Sequence, residues 1–100
     1  MFTPVTSRKA QSPDGAAITI EGWIIHCKEG ERLMGFPAQL CAPLSREYEA
    51  LYMIYFPLDA RWQAPHHDEQ VDYATVQRVK QHLIEGLHAL NCEAEFTLQN

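Results

Sequence analysis

Leu51-Tyr52-Met53-Ile54-Tyr55-Phe56 is the most apolar run in the chain, and Pro57 closes it. Its shortness, aromatic content and terminal proline predict a strand rather than a helix, and that assignment decides the fold. Alternation along a strand sends Leu51, Met53 and Tyr55 to one face and Tyr52, Ile54 and Phe56 to the other. Both faces therefore need cover, as for a strand in the middle of a sheet.

Upstream, Ile18 and Ile20 alternate with Thr19 and Glu21, the pattern of a half-buried strand. Gly22 interrupts that alternation and reads as a bulge, with Trp23, Ile24 and Ile25 continuing the strand toward His26 and Cys27. Lys28-Glu29-Gly30-Glu31 supplies a turn, and Arg32 to Leu40 returns as a second strand with Met34, Phe36, Ala38 and Leu40 on one side. A hairpin closed by Glu29 and Gly30 places Cys27 opposite Arg32 and Cys41 opposite Ile18. Pro37 lacks a ladder donor, which predicts an edge or a bulge there. Ala42 to Glu47 forms a connection.

Downstream, residues 59–70 hold Trp62, Pro65, His66 and His67 and read as a long loop. From Val76, the residues Val79, Leu83, Leu87 and Leu90 gather within about 80° of arc, the stripe of a helix packed on a sheet. Asp72 is the expected N-cap and Asn91 the expected stop, while Gly86 beside the stripe allows a close approach to the sheet. Cys92, Ala94, Phe96 and Leu98 then alternate with polar residues as a last strand. The expectation is an α+β two-layer sandwich, a mainly antiparallel four-stranded sheet with one long helix on one face, in the order β-β-β-α-β. Residues 1–15 show little periodicity and are expected to be a flexible leader, leaving 16–100 as a single α+β domain.

One hundred residues, 46% hydrophobic and 21% charged, match an ordinary globular domain and exclude a multidomain enzyme. The formal net charge is −5, and the basic residues Lys28, Arg32, Arg46, Arg61, Arg78 and Lys80 are dispersed, so direct nucleic-acid binding is not expected. No secretory signal or run of eighteen apolar residues occurs, which predicts a cytoplasmic protein that does not enter a membrane. Cys27, Cys41 and Cys92 are odd in number and form no C-x-x-C pair, so a disulfide framework is not expected and all three read as small core residues.

Few residues offer chemistry. His66-His67-Asp68-Glu69 combines imidazole and carboxylate, but adjacent residues converge poorly on one ion, and the loop is read as solvated. His26 and Cys27 are neighbours in a strand and face opposite sides, which separates a thiol from its base. His82 and His88 fall at the boundary and on the surface of the helix. No phosphate-cradling loop or nucleophile elbow is present, and no catalytic residue, metal or cofactor is assigned.

Surplus apolar surface carries the functional expectation. One helix roofs one face of a sheet, yet both faces of the 51–56 run and of Trp23 to Ile25 are apolar. Burying about 400 Å² of such surface is worth on the order of 10 kcal/mol before association costs, enough to hold a dimer. Trp23, Ile25, Tyr52, Ile54, Phe56 and Trp62 are therefore the expected partner-binding residues of a small non-catalytic domain, inhibitor-like or immunity-like, that forms a homodimer and engages another protein. The alternative is a small-molecule site or minor enzyme with a pocket lined by Trp23, Tyr52, Trp62 and His66, drawing on the His66–Glu69 loop.

Overall fold

The computed structural model describes residues 1–98, which fold in the order β1 (Thr3–Thr6), β2 (Lys9–Gln11), β3 (Ala16–Glu21), β4 (Ile24–Glu29), β5 (Arg32–Cys41), β6 (Ala50–Phe56), α1 (Tyr73–Ala89) and β7 (Cys92–Leu98). The strands form one seven-stranded sheet in sequence order. Every neighbouring pair is antiparallel except β6 and β7, which run parallel because α1 carries the chain back between them. The expected α+β class holds; the sheet has seven strands rather than four.

Two of the added strands come from residues 1–15, the stretch expected to be a leader. β1 and β2 pair with each other, and β2 pairs with β3, so that Ala10 faces Ile18 and both are fully buried. Phe2 is buried too, its ring edge-on to His82 at 5.6 Å. A third arises at Gly22, expected as a bulge. With φ of 60°, Gly22 takes the left-handed conformation and, with Trp23, reverses the chain. Ile18 therefore faces Cys27 across β3 and β4, not Cys41. The next turn is Gly30-Glu31, so Cys27 faces Met34 and Arg32 faces Glu29. That register differs by two from the expected one, which leaves every side chain on its expected face.

β5 serves two partners. Its first half pairs with β4 as far as Pro37, and from Ala38 onward it pairs with β6. The Ala38 amide donates to the Trp23 carbonyl at 2.8 Å, so the Pro37 nitrogen points the other way, before the β6 ladder begins. Proline is tolerated because no donor is needed at that position. The open edge of the first half is met by the 57–72 loop, whose Gln63 amide donates to the Leu33 carbonyl at 2.8 Å.

α1 packs against β1 to β4 on one flank and β7 on the other, and Val79, Leu83, Gly86 and Leu87 are buried beneath it. Asp72 caps it by accepting from the Thr75 amide at 2.8 Å, and Asn91 ends it with φ of 64°. Ile20, Ile25, Phe36, Ile54 and Phe56 fill the core below, and Ala60 and Trp62 complete it from the loop. Phe36 and Phe56 stack with centroids 4.7 Å apart. Among the described residues, no helix is long and apolar enough to cross a membrane.

Candidate functional site

α1 packs on β1 to β4 and on β7, and Leu40 lies near the end of β5 that pairs with β6, directly across from Tyr52. The Gly22-Trp23 turn and the Arg8 turn between β1 and β2 border the same space, and together these residues line a groove of about 310 Å³. Trp23 is 72% exposed and Leu40 52% exposed, while Tyr52 is half-buried. Burial holds the Tyr52 phenol above its ordinary value, Cys92 adds to the effect, and the nearby Arg8 guanidinium opposes it. The groove is apolar and aromatic with one cation at its rim.

Of the six expected contact residues, Trp23 and Tyr52 meet here. Ile25, Ile54, Phe56 and Trp62, expected at a partner surface, are instead buried by this chain's own helix and loop. The pocket expected from Trp23, Tyr52, Trp62 and His66 does not assemble as one: Trp62 is in the core, His66 is tied to Glu69, and neither lines the groove. Arg8 and Leu40 escaped the sequence reading. Arg8 fell in the stretch taken as a leader, and Leu40 counted as one more core position because nothing in the sequence gives the helix axis relative to β5.

The opposite face is mixed. Thr19, Glu21, His26, Lys28, Gln39, Glu93 and Glu95 stand among Ile24, Leu33, Pro37, Met53 and Tyr55, of which Ile24 and Pro37 are exposed and the others half-buried, and Leu51 is buried there. The 42–49 connection turns back over that end, held by Glu93, whose carboxylate accepts from the Leu44 and Ser45 amides at 2.9 Å each.

The His66–Glu69 loop forms an ion-pair network. Arg32 donates through Nε and Nη2 to the two Glu69 oxygens at 2.6 and 3.1 Å, and His66 Nδ1 lies 2.6 Å from Glu69 Oε2. Arg32 first and His66 second hold the Glu69 carboxyl below the usual carboxylate range. These contacts fasten the loop to β5 and use both carboxylate oxygens. A second polar cluster joins β4 to α1: Glu29 accepts from Arg78 at 2.8 Å and lies 2.8 Å from His82 Nδ1. The Cys27 thiol beside it is fully buried, and burial, followed by the Glu29 charge, pushes it up to about 12. At that value it is no nucleophile near neutral pH.

The fold and groove define an α+β domain built on one mixed, mostly antiparallel seven-stranded sheet with a single helix packed against it. No protein-family model matches the chain, and no curated protein or solved structure matches it.

Proposed function

We propose that this protein is a small non-catalytic protein-binding domain that self-associates as a homodimer through the Trp23-Leu40-Tyr52 groove. The observation that carries the reading is Trp23, a large aromatic left 72% exposed on a turn beside an unfilled apolar groove. Trp, Tyr and Arg are the residues that concentrate binding energy at interfaces. Here all three types line one groove.

In this reading the occupant is a second copy. Arg8 forms no ion pair among the described residues, and Glu21, 65% exposed, leads into the Gly22-Trp23 turn from the other face of the sheet, where it lies 3.8 Å from His26 Nδ1. A twofold contact around that turn would pair each Arg8 with the other copy's Glu21, the self-complementarity that an isologous interface requires. In this reading the protein acts by occupying a surface, as compact inhibitors and immunity proteins do. The groove volume also falls at the lower end of the range for small-molecule sites, which supports a second reading as an aromatic ligand pocket.

Sedimentation velocity separates these readings. The wild type is expected to dimerise at micromolar concentration, Trp23→Ser and Arg8→Glu to sediment as monomers, and Arg8→Glu combined with Glu21→Arg to recover the dimer. A wild type that remains monomeric at high micromolar concentration overturns the homodimer. If a metabolite panel then raises Tm in the wild type and not in Trp23→Ser, the ligand pocket takes its place.

A further inference from the structure

Cys27 and Glu29 stand two residues apart on β4 and so project to the same side of the sheet, where His82 on α1 comes down to meet them. The thiol sulfur, a carboxylate oxygen and an imidazole nitrogen all lie within 4.8 Å of one another. We infer that these three residues form a binding site for one zinc-like divalent cation, tying the β4 hairpin to the helix.

The donor set suits such an ion. Thiolate, imidazole and carboxylate are the three protein ligands zinc takes, and a borderline-soft ion is favoured over magnesium or calcium by the sulfur. Ligand atoms around a tetrahedral ion at about 2.0–2.3 Å from its centre stand on the order of 3.5 Å apart, so the sulfur must draw in from its place within 4.8 Å of the other two while the imidazole and carboxylate part slightly. His82 Nδ1 and Glu29 Oε2 already face each other at 2.8 Å, and a cation entering between them replaces that hydrogen bond. His82 and Glu29 side chains are each 14% exposed, so the ion exchanges little bulk solvent once seated.

Neighbouring groups hold the ligands in place. Arg78 donates mainly to Glu29 Oε1, through Nη2 at 2.8 Å and Nε at 3.1 Å, and reaches Oε2 only through the longer Nε contact at 3.3 Å, which the ion would displace; the Phe2 ring packs edge-on against His82. Outer contacts of this kind orient metal ligands. The thiolate formed on binding and the Glu29 carboxylate together outweigh the single positive charge of Arg78. Entry is through a pocket of about 210 Å³ bordered by Asp14, Gly15, Gly30 and Arg78, which also leaves a fourth position for water. The sequence hid this site because Cys27 and Glu29 lie fifty-odd residues from His82, and only the Gly30-Glu31 turn and the α1 crossover bring them together.

Titration of the reduced protein with cobalt(II) chloride tests the assignment. The expected result is one equivalent bound, with a thiolate-to-cobalt charge-transfer band in the near ultraviolet. Cys27→Ser loses the band, His82→Gln weakens binding at least tenfold, and Cys41→Ser and Cys92→Ser keep both. A folded wild type without the band at millimolar cobalt, or a band that survives Cys27→Ser, overturns the site. Should Cys27→Ser fail to fold, X-ray absorption on the zinc-loaded wild type decides: one sulfur in the coordination sphere supports the site, and oxygen and nitrogen alone refute it.

Discussion

Gly86 brings α1 so close to β3 that a Cβ added there meets Ile18, with the Ile18 Cβ at 2.7 Å and Cγ1 nearer still. Ile18 is fully buried between Ala10 and Cys27 and has nowhere to retreat. Gly86→Ala gains about 1 kcal/mol of helix propensity but forces an overlap worth about 1–3 kcal/mol. We expect a net loss of about 1 kcal/mol in urea unfolding, with the m-value unchanged. A stabilised variant would contradict this packing. Gly86, Asp72 and Asn91 were legible in the sequence because each acts through its own local chemistry: a missing side chain, a capping carboxylate, and a residue tolerant of positive φ. Gly22 was misread for the same locality, since a glycine suits a bulge and a tight turn equally and only the partner strand distinguishes them.

At the scale of elements, strand and helix types followed from periodicity, whereas their pairing did not. The β4-β5 register moved by two residues without moving a side chain to another face, so the core positions Cys27, Met34 and Phe36 were readable even with the turn misplaced, whereas Ile25, expected at a partner surface, is buried. The loop between β6 and α1 was less legible. It carries Trp62 into the core and fixes itself to β5 through Arg32, Glu69 and His66, residues with no periodic signal. Because Arg32 and His66 lower the folded Glu69 carboxyl, its contribution is complete above its ordinary value of 4.5 and disappears as acid titrates through the lower folded value. Thermal unfolding followed from about pH 6 down to pH 3 is therefore expected to fall more steeply for the wild type than for Glu69→Gln, with the two curves converging at the acid end. Parallel curves would show that the loop is not held by this carboxylate.

The whole molecule resolves the apparent mismatch between apolar strand and single helix mostly from within. β1 and β2 widen the sheet around α1, the 57–72 loop closes the core, and the 42–49 connection turns back toward Leu51, so Ile54, Phe56 and Leu51 are all buried by this chain. Composition could count apolar residues but could not reveal that a tryptophan-bearing loop and an N-terminal hairpin would supply the cover. Of the large hydrophobics that remain outside, Trp23 and Leu40 gather with half-buried Tyr52 beside Arg8, while Leu44, Leu58, Tyr73 and Leu98 stand exposed elsewhere. The chain has two tryptophans, and Trp62 is buried within the single chain, so a change in tryptophan emission on dilution of the folded protein belongs to Trp23. Emission recorded from high to low micromolar protein tests the groove as a dimer contact most directly: a red shift on dilution, absent in Arg8→Glu, is the predicted result, and a wild-type spectrum that does not change with concentration would contradict it.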